Sequence, residues 1–312
     1  MRIVFMGTPD FAVPSLRALL DNGYQVVGVF CQPDRPKGRG HKLAACPVKE
    51  TAVAAGIPVF QPERIKRAEG VEALKSLAPD LCVTAAFGQL LSQEILDVPK
   101  LGTINVHASL LPRHRGSAPI NWCVMMGEAV TGITTMYTDI GMDTGAILSM
   151  EELEINGDDY VGDLYEKLSC VGADLLIKTL DGYLSGEIIP VPQNDALATQ
   201  APPLKKEEAY LDFTRSAESV RNVIRGFGYG VCEFRDEQLK IYRAEAIDDC
   251  GENTAGTVVT AVKHDFIVAC GSGALAISEL QACGKKRMKT ADFLNGVHVM
   301  PGEILRKFGG NR

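Results

Sequence analysis

Three polar residues stand where an apolar chain has little use for them. Asn105 and His107 alternate at the end of Gly102-Thr103-Ile104-Asn105-Val106-His107, a run of strand type. Asp143 sits in Asp139-Ile140-Gly141-Met142-Asp143-Thr144-Gly145, between two glycines that suit a tight turn. An asparagine amide can donate to a developing oxyanion. A histidine can donate to it too, or move a proton. A carboxylate beside that histidine orients the ring and supports its cation. Singly, each residue has an ordinary role: a strand-end cap, a satisfied histidine, a Gly-x-Asp-x-Gly turn. At consecutive strand ends of one sheet, together they make a site. No Gly-x-Ser-x-Gly elbow supplies a serine nucleophile. No HExxH, CxxC or histidine cluster suggests a metal, and Gly7-Thr8-Pro9 is neither a Walker loop nor GxGxxG. What remains is transfer between two bound substrates, one of which brings its own nucleophile, such as an amine.

Those residues need a frame. Arg2–Met6 reads as a strand, Phe11–Asn22 as a helix, Tyr24–Cys31 as the next strand and Gln32–Leu43 as a Pro/Gly/basic loop. Helices over 47–55 and about 71–77, strands over 57–60 and 81–85, a strand ending at Val106, a helix over 118–126 and a strand over 131–137 continue the alternation. That order predicts an α/β class, a doubly wound and mostly parallel sheet with helices on both faces. Ligands of such sheets bind beyond the carboxyl ends of the strands, where Asn105, His107 and Gly7-Thr8-Pro9 fall. The texture changes near Ile189: 190–207 is proline-rich and polar and reads as a linker. Beyond it, a helix over 216–226 and several short strands separated by Gly and Asp/Asn turns predict a small barrel. The boundaries expected are 1–189, 190–207 and 208–312.

The 312 residues, 46% of them apolar, allow about two domains. A formal charge of −7 provides no global attraction for nucleic acid, so such binding must be local. Of nine cysteines, Cys31, Cys82, Cys123, Cys170 and Cys270 sit in apolar runs and read as reduced, buried thiols of a cytoplasmic protein. The N-terminus reads as a strand with no secretory leader, and no apolar run reaches the roughly 18 residues of a membrane span.

Asn105-Val106-His107, Ser109-Leu110-Leu111-Pro112 with Arg115-Gly116 and Ala118-Pro119-Ile120, and Gly141-Met142-Asp143-Thr144-Gly145 resemble the folate-dependent formyltransferases. Phe5-x-Gly7-Thr8-Pro9-Asp10-Phe11-Ala12, Gln32-Pro33-Asp34-Arg35-Pro36, Gly38-Arg39-Gly40, Lys205-x-Glu207-Glu208-Ala209 and Gly284-Lys285-Lys286 resemble the members that act on charged initiator tRNA. The resemblance covers nearly the whole chain. It departs at His114, where Trp or Tyr is common, and over Gly226–Gly230, in place of a Pro/Trp-rich segment.

The resemblance implies a Rossmann-like catalytic domain and a C-terminal barrel of oligonucleotide-binding type. It implies 10-formyltetrahydrofolate as co-substrate with no metal, and as acceptor the α-amino group of methionine on initiator tRNA. Asn105, His107 and Asp143 would carry catalysis. Ser109, Leu110, Leu111 and Pro112 would line the folate pocket, with Leu110-Leu111-Pro112 forming an apolar ledge for the pterin. Basic residues expected to hold tRNA are Arg35, Lys37, Arg39 and Lys42 in one loop, Lys205 and Lys206 in the linker, and Lys285 and Lys286 in the barrel. Any one such run is ordinarily a solvated surface; three of them favour an extended RNA surface. A monomer without membrane partners is expected. The rival readings are a formyltransferase for a nucleotide-sugar amine or small ribonucleotide, and a non-catalytic RNA-binding protein.

Overall fold

The structure, a computed structural model, describes residues 1–37, 42–248, 251 and 253–309. Contacts divide the chain into two units. The first comprises Met1–Pro119, Val130–Glu154 and Leu164–Pro202; the second comprises Ile120–Ala129, Ile155–Asp163 and Pro203–Arg312.

The strands of the first unit are β1 (Arg2–Gly7), β2 (Gln25–Phe30), β3 (Arg35–Lys37), β4 (Lys42–Ala44), β5 (Val59–Phe60), β6 (Leu81–Ala85), β7 (Thr103–His107), β8 (Val130–Tyr137) and β9 (Ile147–Glu154). Its helices are α1 (Val13–Asp21), α2 (Pro47–Ala54), α3 (Ala68–Ser76) and α4 (Gln93–Leu96). Seven strands form one sheet in the order β5-β2-β1-β6-β7-β8-β9. The pairs from β5 to β7 are parallel. β6 is buried at every position and β1 at all but the first, as a sheet covered on both faces requires. Helix α5 (Pro119–Met125) precedes β8, and the 25-residue α6 (Val161–Ser185) follows β9.

Two features differ from expectation. β8 and β9 run antiparallel, so the doubly wound sheet is mixed at one edge. The basic loop over 32–43 carries a small hairpin, β3 against β4, with Lys37 opposite Lys42. Residues 38–41 between them lie outside the described residues, and with them Arg39.

The second unit holds α7 (Ala217–Phe227), β10 (Gly230–Phe234), β11 (Glu237–Ile247), β12 (Val258–Val262), β13 (Asp265–Ala269), β14 (Ala274–Ala282), β15 (Met288–Lys289), α8 (Thr290–Gly296) and β16 (Leu305–Lys307). The antiparallel order is β12-β13-β14-β11-β10-β16. The two ends meet: Val258 N–H donates to the Glu303 carbonyl at 2.7 Å and Leu305 N–H to that of Gly256 at 2.8 Å. The sheet thus curls into the small barrel expected, around Phe266, Ile241, Leu275 and Leu280. Ser216 caps α7 through the Ser219 N–H, and Gly228, at φ 91°, ends it in the left-handed region.

The stretch 190–202, read as linker, belongs to the first unit; Pro203 begins the part assigned to the second. Cys31, Cys82, Cys123 and Cys270 are buried as expected, but Cys170 is exposed, because its position on α6 faces outward. No helix among the described residues is long and apolar enough to cross a membrane.

Candidate active site

Asn105 and His107 are two apart on β7, and side chains at that spacing share a sheet face. Thr84 of β6, in register with Asn105, donates its hydroxyl to Asn105 Oδ1 at 2.8 Å. That bond fixes the amide's orientation. Nδ2 has no hydrogen-bond partner among the described residues, and the half-buried side chain can offer it to a reactant.

His107 is 6% exposed. Its Nε2 lies 3.1 Å from the backbone carbonyl of His114. A carbonyl only accepts, so Nε2 carries a proton, and Nδ1 is the nitrogen left for exchange. Nδ1 lies 3.7 Å from Asp143 Oδ1. That separation is too long for a hydrogen bond and lies within ion-pair range of the ring when the ring is protonated.

Asp143 is held from several sides. Its Oδ2 accepts the Gly116 N–H at 2.8 Å, and its backbone sits at φ 55°. Asp139 Oδ1 accepts from the Gly141 N–H and the Thr144 hydroxyl at 3.0 and 2.7 Å, bracing the turn. The glycine at 145 is obligatory, since a Cβ there would run into the Tyr137 carbonyl.

The route by which Asp143 arrives differs from the expectation of consecutive strand ends. Tyr137, the last residue of β8, lies opposite Ile104 near the start of β7, while His107 lies opposite Thr134. The turn therefore leaves from the sheet edge away from His107, and the loop over 138–146 brings the carboxylate back to it.

The segment 109–116 forms the other wall. Ser109 Oγ donates to the Arg113 carbonyl at 2.7 Å, and the Thr134 hydroxyl donates to the Ser109 carbonyl at 2.6 Å. Ser109 and Leu111 are buried, 1% and 3% exposed, while Leu110 and Pro112 are half-buried. Of the ledge expected from Leu110-Leu111-Pro112, Leu110 and Pro112 remain partly exposed, while Leu111 is buried in the core. The Leu111–Pro112 peptide is cis. Arg115 is 5% exposed and does not present its charge to a ligand; it pairs with Asp195 at 2.7 Å and donates twice to Gln193.

Of the basic residues, Arg35 is exposed and 3.4 Å from Glu63. The backbones of Lys37 and Lys42 face each other in the hairpin, but their side chains lie outside the description. Lys205 and Lys206 are exposed at a 3-10 turn that also carries Glu207 and Glu208; Lys285 and Lys286 are exposed in the turn after β14. The first group belongs to one unit and the other two to the second.

Sequence reasoning missed Thr84, the His114 carbonyl, the Gly116 N–H and Gln193. Thr84 left one signal, a lone polar residue near the end of the apolar strand Leu81-Cys82-Val83-Thr84-Ala85. Backbone groups leave none. Among the described residues no cluster of His, Cys, Asp and Glu could hold a metal ion.

An amide donor, a histidine with one available nitrogen and a fixed carboxylate at one face of a Rossmann-like sheet define a group transferase that needs no nucleophile of its own. The model of the Formyl transferase family matches residues 1–180, and that of its C-terminal domain matches 203–298. This chain belongs to the formyl transferase family. It is 48% identical over 310 residues to the methionyl-tRNA formyltransferase of Geotalea uraniireducens, covering 98% of each chain. It is also 48% identical over 308 residues to that of Bacillus subtilis, covering 97% of each. The fold is similar to that of an N-formyltransferase from Helicobacter canadensis solved with folinic acid and dTDP-3-aminofucose. There the TM-score is 0.67 at 18% identity, over 92% of this chain and 99% of the other.

Proposed function

We propose that this chain transfers the formyl group of 10-formyltetrahydrofolate to the α-amino group of methionine on initiator tRNA, giving N-formylmethionyl-tRNA. The observation that carries the reading is near-half identity to methionyl-tRNA formyltransferases along the full length, barrel included.

The neutral amine attacks the formyl carbon, and its carbonyl oxygen gains the negative charge. Asn105 Nδ2 donates to that oxygen. His107, through Nδ1, donates to it or takes the proton released by the attacking nitrogen. Asp143 supports positive charge on the ring. The bond from the formyl carbon to the folate nitrogen breaks, that nitrogen takes up the proton, and the new amide stays on methionine. Leu110 and Pro112 offer a half-buried apolar edge, and Asn105 Nδ2 is a donor with no partner among the described residues; the two together suit a flat ring system bearing a carbonyl. The exposed lysines of the second unit, Lys205, Lys206, Lys285 and Lys286, hold the tRNA together with Arg35, Lys37, Arg39 and Lys42.

The test is transfer of labelled formyl to initiator methionyl-tRNA, with elongator methionyl-tRNA, uncharged tRNA and a nucleotide-sugar amine as controls. Rapid transfer to the initiator alone is expected. Preference for the sugar amine overturns the acceptor, and no transfer to any amine overturns the activity.

A further inference from the structure

We propose that Gln193 is a positioning residue for this reaction, fixing the place of Asp143 relative to His107; the inference rests on the formyl-transfer reading above. Its carboxamide is fully engaged. Oε1 accepts from Arg115 Nε at 3.0 Å and Nη2 at 2.7 Å. Nε2 donates to the carbonyls of Asp143 at 2.9 Å and Gly145 at 2.8 Å. A guanidinium only donates and a carbonyl only accepts, so the carboxamide has one possible orientation.

Both ends of this link reach the reacting groups. Arg115 stands between His114, whose carbonyl takes His107 Nε2, and Gly116, whose N–H holds Asp143 Oδ2. At the other end the link grips the turn in which Asp143 keeps a left-handed backbone, a conformation that persists only where its surroundings enforce it. Gln193 thus couples the two loops that set the His107–Asp143 separation, and it touches neither side chain.

Its segment is anchored independently. Thr199 Oγ1 accepts the His114 N–H at 2.8 Å, the Thr199 carbonyl accepts the Arg115 N–H at 2.9 Å, and Ala201 N–H donates to the Arg115 carbonyl at 2.7 Å. Loss of the Gln193 donor should therefore release the Asp143 turn and leave the segment in place.

Gln193→Glu isolates that donor. One carboxylate oxygen keeps the Arg115 guanidinium, while the other meets two carbonyl oxygens. Hydrogen exchange over 138–146 should rise with exchange in β8 unchanged. Turnover should fall roughly 10- to 100-fold, with the KM for the formyl donor changed less than about twofold, because geometry and not binding is lost. On an Asp143→Asn background the same change should cost less than about twofold more, because Gln193 acts through the carboxylate. Asn194→Ala, which removes a side chain whose one bond among the described residues is from the Ala196 N–H, should leave turnover near native.

Native exchange over 138–146 in Gln193→Glu overturns the proposal, as does an undiminished turnover loss on the Asp143→Asn background. If Gln193→Glu fails to fold, Gln193→Met, of similar volume and without donors, is read by the same exchange measurement. If the native protein transfers no formyl group, the function is wrong, and exchange alone decides the link.

Discussion

His107 Nδ1 stands 3.7 Å from Asp143 Oδ1, while Asp143 Oδ2 is taken by the Gly116 N–H at 2.8 Å. The carboxylate is thus anchored through one oxygen and presents the other, unbonded, to the ring. This arrangement leaves Nδ1 without a hydrogen bond from Asp143 and keeps the carboxylate beside it.

Asp143→Asn tests that division of labour. The variant's amide oxygen should take over the Gly116 N–H, which turns its NH2 toward His107 Nδ1. Charge is lost and a donor faces the ring, with volume preserved. Turnover should drop by about 10²–10³ while the melting temperature and formyl-donor binding stay near native. Near-native kcat in a folded variant would remove Asp143 from the mechanism.

Thr84→Val tests how Asn105 is aimed. Asn105→Ala removes an oxyanion donor and should cost about 10²–10³ in kcat with little change in KM. Thr84→Val leaves the amide intact but frees it to rotate, so a smaller loss, roughly tenfold, is expected, again in kcat. A Thr84→Val effect confined to the KM of the formyl donor would make this pair part of a binding pocket.

The proposed tRNA contacts are checked by salt dependence. Arg35→Ala and Lys286→Ala should each lower the slope of log affinity against log salt by roughly one unit, since each phosphate contact releases about one counterion. Formyl-donor binding should not change. Slopes parallel to that of the native protein would show that these two side chains do not reach phosphates.

Thiol reactivity follows from burial. Burial, with the Cys46 thiol beside it, pushes Cys31 up to about 12, and burial pushes Cys82 up to about 12. Both thiols therefore stay protonated at pH 8, where the thiolate is the reactive form. Exposed Cys170 and Cys283 should be alkylated by iodoacetamide in the native protein, with Cys31 and Cys82 labelled only after unfolding. Peptide mapping by mass reads the order, and early labelling of Cys82 would contradict its burial.

The sequence by itself determined what depends on local backbone geometry. The two-residue period of a strand put Asn105 and His107 on one face, and Gly141 and Gly145 marked a turn that closes only without side chains. Apolar runs such as Leu81-Cys82-Val83 gave the buried strands, and their alternation with helices gave the parallel half of the sheet. Tertiary structure alone decided the rest. The antiparallel direction of β8 sends the Asp143 turn off the far edge of the sheet, and pairing direction is set by long-range hydrogen bonds that no local pattern encodes. Leu111 reads like Leu110 in sequence, yet it is buried while Leu110 is half-buried, and its N–H is held by the Thr134 hydroxyl of β8. Arg115 is a charged residue by sequence and is buried against Asp195, 80 residues along the chain. Gln193, in a stretch whose composition signals only a linker, reaches back 50 residues to Asp143. An amide in a proline-rich segment gains its meaning from the carbonyls and guanidinium it meets, and only the closed chain brings those within hydrogen-bonding distance.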